Sequence, residues 1–339
     1  KIIIEKSTLP VRTAEKIKEI LLKYGRKDVN FEILSNPEFL AEGTAIQDLF
    51  KSDRVLIGGD TTESGQNAVK ALLDIYAQWI PREKILTTNV WSSELAKLAS
   101  NAMLAQRISS INSLSALCEK TGADIDELSK AIGMDHRIGP EFLNTSVGFG
   151  GSCFQKDLLN LVYLCQFYGL DEVAEYWHRI VKINDYQKNR FAQKIIDGMG
   201  GNIKDKIITI LGWAFKANTN DSRESPAIYV TNNLLEAGAK IKIYDPMVKK
   251  DRIRMDLKNI WESLSITEQE KKKRNSSVII VEDQKVALND SMAVVILTEW
   301  EEFKHFKWDV ISKFSKVFDG RKIIKKNDLN VDSIYSIGV

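Results

Sequence analysis

The chain has 339 residues, 44% hydrophobic and 28% charged, with a formal net charge of +2. These proportions suit a soluble globular protein of two or three domains, and the near-neutral balance gives no reason to expect nucleic acid or an anionic membrane as partner. No apolar run reaches the length of a bilayer span and no signal-peptide pattern opens the chain, so a cytoplasmic location without a membrane partner is expected. The three cysteines, Cys118, Cys153 and Cys165, form no CxxC pair and share no ligand-like spacing with His136, His178 or His305, which argues against a disulfide framework and a metal site.

The chain opens without an initiator Met on Lys1 to Thr8, whose apolar run Ile2-Ile3-Ile4 reads as a buried strand with no element before it. An N-terminally truncated chain is the expectation. Leu9-Pro10 breaks the backbone, and Ala14, Ile17, Ile20, Leu21 and Tyr24 then fall at helical spacing before Gly25. Phe31 to Leu34 and Arg54 to Ile57 read as strands. Asp60 and Glu63 start a helix with the stripe Val69, Leu72, Leu73 and Tyr76, and Ile85 to Thr87 is a further strand. This alternation predicts the later half of a parallel, doubly wound sheet for residues 1–88. The GxGxxG turn that opens such a sheet has no counterpart here.

Residues 89–200 read as helical. Ser92 to Lys120 is rich in small residues that allow close packing, and on it Lys97 and Asn101 are four apart on one face. That pair is either a solvated or internally satisfied one, or one that faces a site. Gly122 and Asp124 restart a short helix to Ile132, and the loop Gly133 to Gly139 carries His136 and Arg137. Helices from Leu158 to Phe167 and from Glu172 to Met199 complete a region suited to a dimer surface. Between them lies Gly148-Phe149-Gly150-Gly151-Ser152-Cys153-Phe154-Gln155-Lys156-Asp157. Its glycines free the backbone for positive φ and close approach. Ser152 with Gln155 fits a capping box, which makes Cys153 the first residue of a helix, where the macrodipole favours a thiolate. Asp157, one turn on, shares its face, and its charge opposes ionisation of the thiol. A buried structural cysteine after an ordinary glycine loop is the other reading of the stretch.

Beyond Gly200-Gly201-Asn202 a second α/β sheet is predicted, with strands Lys206 to Leu211, Lys240 to Tyr244, Ala293 to Leu297 and Lys316 to Phe318. Ser225-Pro226 starts a helix that Gly238 stops. Only Gly212 stands in the first turn, so a dinucleotide fingerprint is absent there too. Glu268 to Arg274 reads as a solvated loop of mixed charge.

Ser7-Thr8-Leu9-Pro10, Asn36-Pro37-Glu38-Phe39-Leu40-Ala41-Glu42-Gly43, Glu94 to Ala105, Gly148 to Asp157, Gly212-Trp213-Ala214-Phe215-Lys216, Asp221 to Ser225 and Asp319-Gly320-Arg321 run in the order found in UDP-glucose 6-dehydrogenases. On these motifs the chain resembles the UDP-glucose/GDP-mannose dehydrogenase family. The Cys stretch together with Ala105 to Asn112 is similar to its animal-like branch. The resemblance implies two doubly wound Rossmann-like sheets joined by a long-helix all-α connector domain, the first sheet lacking its N-terminal half. Its domains would be the C-terminal half of an NAD-binding domain (1–88), a central dimerisation domain with the Cys loop (89–200) and a UDP-sugar-binding domain (201–339).

The activity so implied is a four-electron oxidation of UDP-glucose to UDP-glucuronate with two NAD and one water, through a thiohemiacetal and a thioester at Cys153. Lys97 and Asn101 would stabilise the oxyanion at C6, Asp157 would act in proton transfer, and Glu38 and Thr8 would position the hydrolytic water. NAD contacts fall on Ser7, Thr8, Leu9, Glu42 and Arg223. UDP-glucose contacts fall on Phe39, Leu40, Glu42, Lys97, Asn101, Asn144, Phe149, Gly150, Phe154, Phe215, Lys216 and Arg321, with Arg137 supplied from a neighbouring subunit of a homo-oligomer, a dimer or a hexamer built from dimers. The cations suit a diphosphate. Asn144 stands where the animal enzymes commonly carry Lys. Two rival readings are a related dehydrogenase of GDP-mannose or a UDP-N-acetyl sugar, and a non-catalytic nucleotide-sugar-binding or oligomer-forming subunit.

Overall fold

The computed structural model describes residues 1–40, 42–325 and 333–339; Ala41 of the Asn36 to Gly43 motif lies outside the described residues. Two compact units are formed, residues 1–103 with 160–169, and residues 104–159 with 170–339.

The first unit contains β1 (Ile2–Glu5), α1 (Thr13–Tyr24), β2 (Glu32–Ser35), α2 (Ala45–Phe50), β3 (Val55–Gly59), α3 (Glu63–Tyr76) and β4 (Ile85–Asn89). The strands lie in the order β1-β2-β3-β4. β1 pairs with β2, and β3 with β4, in parallel, but β2 meets β3 antiparallel through Ser35 and Gly58. This four-stranded sheet is therefore mixed rather than all parallel. Among the described residues between β2 and β3 the only helix is the six-residue α2, too short to carry the crossover that a parallel return requires. α3 starts where the sequence signals it, with Thr62 Oγ1 accepting from Gly65 N, and buries Ala68, Val69, Leu72 and Tyr76 in one core cluster with Leu34, Val55 and Ile57. On α1 only Ala14 is buried, while Ile20 and Tyr24 are exposed.

The helical region follows: α4 (Val90–Thr121), α5 (Ile125–Gly133), α6 (Phe154–Phe167) and α7 (Asp171–Gly198). Asp124 caps α5 by accepting from Asp126 N at 2.7 Å. The boundary between the two units falls inside α4 and α6.

The second unit holds β5 (Ile207–Leu211), α8 (Pro226–Glu236), β6 (Lys240–Tyr244), α9 (Lys250–Ser263), α10 (Glu268–Ser276), β7 (Val278–Ile280), α11 (Gln284–Leu288), β8 (Ala293–Ile296), α12 (Glu301–Lys304), α13 (Trp308–Ile311), β9 (Lys316–Asp319) and β10 (Ile334–Ser336). Their order is β10-β9-β8-β5-β6-β7 and every pairing is parallel. Strand order thus reverses on either side of β5, and the crevice beyond the carboxyl ends of β5 and β8 is where such sheets take ligands. β8 is buried along its whole length, as a strand covered on both faces must be. Ser225 caps α8 with Pro226 at the first helical position, as the sequence predicts. The Glu268 to Arg274 run is not a loop: it forms α10, capped by Thr267. The segment lacks an apolar period, so hydrophobic patterning could not reveal it; the i,i+3 and i,i+4 pairs Glu268–Lys271 and Glu270–Arg274 support it instead.

Glu5, at the carboxyl end of β1, is 7% exposed and has no hydrogen-bond partner as a carboxylate. Burial, then the neighbouring Glu94, push its carboxyl up to about 7. Glu94 accepts from the backbone N–H of Arg12 at 2.5 Å and of Ala14 at 2.9 Å and so caps α1, which leaves Glu5 to donate to it as the neutral acid. Because the folded-state pKa lies above the unfolded value of 4.5, the native chain holds the extra proton between those pH values, and stability falls as pH rises through that window. Glu5→Gln is expected to flatten this dependence and to raise unfolding free energy at pH 8 by on the order of 2 kcal/mol. Urea unfolding at pH 5 and pH 8 reads it; parallel pH profiles for variant and wild type would contradict the neutral acid.

Candidate active site

Residues 146–151 form no regular secondary structure, so their backbone polar groups need partners elsewhere. Ser146 N donates to Asn112 Oδ1 at 3.0 Å, and Ser146 O accepts from Gln187 Nε2 at 2.6 Å. Val147 N donates to Gly320 O at 2.9 Å and Gly151 N to Arg223 O at 2.8 Å. Asn184 of α7 takes both polar groups of Phe149, accepting from its N–H at 2.9 Å and donating to its carbonyl at 3.0 Å. Gly148 at φ 124° and Gly151 at φ 84° occupy left-handed backbone that other residues adopt only under strain. Gly150 is required for space: a Cβ there would lie 2.5 Å from the Glu224 carbonyl oxygen.

α6 begins at Phe154, and the Cys153 carbonyl accepts from Asp157 N at 2.9 Å. Cys153 is thus the N-cap rather than the first helical residue. The left-handed turn at Gly151 carries the chain through Ser152 and Cys153 before the helix closes, and Ser152 Oγ sits 3.7 Å from the sulfur instead of forming the expected capping box. The thiol still stands at a helix N-terminus. Cys153 is exposed, whereas Cys118 and Cys165 are buried and burial pushes the Cys165 thiol up. This sets aside a buried structural role for Cys153. Asp157 is buried one turn along α6 with Lys156 Nζ 3.6 Å away, and Phe149 meets Phe154 edge to face at 5.7 Å.

The strap lies against the segment that leaves β5. A Cβ on Gly151 would touch the Phe215 ring at 3.0 Å. Phe215 N donates to Asp221 O, and Arg321 reaches Phe215 O at 2.8 Å and Leu297 O at 2.7 Å. Arg223 is paired with Asp221 at 2.7 Å. Buried carboxylates hold this segment in place. Asp245 accepts from Trp213 N, Ala214 N and Trp300 Nε1, while Asp256 accepts from Trp213 Nε1 and Ser222 Oγ and pairs with Arg252 at 2.9 Å. Phe149, Gly150, Phe215, Arg223 and Arg321 are thereby brought together. Arg137 and Asn144 are exposed, with Arg137 ion-paired to Asp135 at 2.5 Å.

In the first unit, Lys97 and Asn101 are both buried one turn apart on α4. The Lys97 ammonium lies 5.2 Å from the Phe39 ring centroid, and Arg54, which sequence reasoning missed, stacks on the same ring at 3.9 Å. Asn36 anchors the segment, donating to Leu56 O at 2.7 Å and accepting from Lys6 and Tyr76. Leu40 is half-buried, and Glu38 and Glu42 are exposed. Ser7, Thr8 and Leu9 follow β1 at its carboxyl end, the edge at which open α/β sheets take ligands.

Asn184, Gln187 and Lys188 also escaped the sequence reading. They stand at i, i+3 and i+4 on α7 and all three are buried. That polar spacing on one helix face was the available signal.

Residues 1–80 match the NAD binding domain of the UDP-glucose/GDP-mannose dehydrogenase family, residues 91–186 its central domain and residues 209–326 its UDP binding domain. The chain is 54% identical to UDP-glucose 6-dehydrogenase 3 of Arabidopsis thaliana and 53% identical to UDP-glucose 6-dehydrogenase 1 of Glycine max, in each case over 100% of this chain and 72% of the relative. These are plant proteins, which does not support the animal-like branch read from the Cys stretch together with Ala105 to Asn112. Among solved structures it is similar to a UDP-glucose dehydrogenase from Pyrobaculum islandicum, with a TM-score of 0.81 and 31% identity over 98% of this chain and 70% of that one.

Gly150→Ala is expected to lower stability by about 1–3 kcal/mol, because the new methyl meets backbone rather than a yielding side chain. A thermal melt indistinguishable from wild type would show that the strap gives way without cost.

Proposed function

We propose, on the premise that this chain belongs to the UDP-glucose/GDP-mannose dehydrogenase family, that it oxidises UDP-glucose to UDP-glucuronate with NAD at Cys153. The observation that carries the site assignment is the exposed thiol at the start of α6, at the end of a strap whose backbone is held by hydrogen bonds on both sides.

NAD supplies the hydride acceptor for both oxidations, and Ser7, Thr8, Leu9, Glu42 and Arg223 are the residues assigned to it. The Cys153 thiolate adds to the C6 aldehyde as a thiohemiacetal, and the thioester at the next oxidation level is opened by water. Lys97 and Asn101 stabilise the C6 oxyanion, a role supported by their burial one turn apart on α4. Asp157 takes part in proton transfer, and Glu38 and Thr8 position the water. Phe39, Leu40, Glu42, Asn144, Phe149, Gly150, Phe154, Phe215, Lys216 and Arg321 contact the UDP-sugar along with Lys97 and Asn101. In this reading the chain divides at 88 and 200 into cofactor, central and UDP-sugar domains, a division supported by the end of β4 at Asn89 and the start of β5 at Ile207. Arg137 serves the site of a neighbouring copy in a homo-oligomer, which its exposure on the 133–139 turn permits. A cytoplasmic location fits the free thiols of Cys118, Cys153 and Cys165.

Cys153→Ser is expected to abolish UDP-glucuronate formation while UDP-glucose binding, read by calorimetry, stays within about threefold. Undiminished product would remove the nucleophile assignment. Across a panel of nucleotide sugars, NADH formation should be fastest with UDP-glucose, and a preference for GDP-mannose would overturn the substrate. Arg137→Ala should raise KM for UDP-glucose without changing that for NAD.

A further inference from the structure

We propose that Asn184 is a positioning residue for Cys153: by clamping both backbone groups of Phe149 it fixes the strap that delivers the thiol. This rests on Cys153 being the nucleophile. Asn184 is 1% exposed in the middle of the 28-residue α7, and its acceptor and its donor are both spent on the two backbone polar groups of one residue, four positions before the cysteine. Burial of a side-chain amide is unfavourable unless it is hydrogen-bonded, and two bonds to a single residue define that residue's position and its rotation.

Other partners hold the strap at Ser146, Val147 and Gly151, and Asn184 is the one that takes both backbone groups of Phe149. At positions 148, 150 and 151 it carries no side chain, so packing contributes less there than hydrogen bonding. Gly148 complements the clamp: a Cβ at that residue would lie 2.7 Å from Asn184 Oδ1, so the amide occupies the space that any other residue would need.

A second arm reaches the same strap from α7. Lys188, one turn beyond Asn184 and 1% exposed, bonds Asp185 at 3.0 Å, and its ammonium lies 4.0 Å from the Tyr229 ring centroid. The Tyr229 hydroxyl donates to the Glu224 carboxylate. Burial and that carboxylate hold the hydroxyl above its ordinary range, so it stays a donor. Glu224, at φ 53°, places the carbonyl oxygen against which Gly150 packs. The clamp and this brace enclose the strap from two directions, and a displacement of about 1 Å at a nucleophile is enough to cost a hundredfold in rate.

The test compares Asn184→Asp and Asn184→Ala with wild type and Cys153→Ser, measuring hydrogen exchange of peptides covering residues 147–154, UDP binding, and kcat and KM for UDP-glucose. Asn184→Asp keeps the acceptor but sets a carboxylate against the Phe149 carbonyl. Both Asn184 variants should exchange the Phe149 amide at least about tenfold faster and lose about tenfold or more in kcat, with UDP affinity and KM within about threefold. Acidification that protonates the new carboxyl restores a donor, so protection should return in Asn184→Asp and not in Asn184→Ala; a mere packing defect would not respond. Unchanged kcat in a folded variant with faster exchange, or a change confined to KM, overturns the proposal. If both variants fail to fold, Gly148→Ala decides, because its methyl would lie 2.7 Å from Asn184 Oδ1: faster exchange of the Phe149 amide with lower kcat supports the clamp, and no change in kcat overturns it. Turnover retained by Cys153→Ser would instead defeat the nucleophile reading, while the exchange data still judge the clamp.

Discussion

An irregular buried backbone has to be satisfied group by group, and in this protein that requirement is concentrated on residues 146–151. A helix or strand would meet it internally. Here Asn112, Asn184 and Gln187 supply side-chain partners from the helices, and Gly320 and Arg223 supply carbonyls from the loops beyond the parallel sheet. The glycines that make the strap possible also remove its side chains, so its position is carried by polar contacts whose geometry is narrow. Cys153 inherits that definition because only one residue separates the strap from it.

Buried carboxylates play a parallel part in the loops that face the strap. Asp245 and Asp256 are surrounded by indole, hydroxyl, backbone and guanidinium donors, which is the condition under which a buried charge is tolerated. Asp319 is pushed up by burial against the opposing pull of backbone N–H groups from Ile324 and Arg321. Glu5 differs: with no donor of its own and another carboxylate beside it, burial and then Glu94 push its carboxyl up to about 7. The donors that the fold supplies thus decide how far burial is left to act on a carboxyl group.

Much of the second unit was legible in advance because parallel strands announce themselves as short apolar runs. Lys240 to Tyr244 and Ser225-Pro226 appear where composition and capping chemistry put them. The α10 helix did not, since its stabilisation comes from charge pairs that a hydrophobic pattern cannot register. The β2–β3 pairing escaped as well, because strand direction depends on the path of a connection and not on the residues within either strand. Of the site, the glycines, the cysteine and the conjunction of Lys97 with Asn101 were visible as spacing. Arg54 on the Phe39 ring was not, because the two meet only after some fifteen residues of intervening chain have folded back.

By itself the sequence determined that a thiol would follow three glycines at a helix start, that Asp157 would share its turn, and that a second parallel sheet would follow the long helices. Those are consequences of local backbone freedom, capping and periodicity, each of which acts within a few residues. Only the tertiary structure decided that Cys153 caps α6 and remains exposed while Cys118 and Cys165 are buried, and that Phe149 is held by an amide thirty-five positions away. The reason is physical: burial and hydrogen-bond partnership depend on which distant segments are brought within about 3 Å of one another, and spacing along a chain carries no information about that.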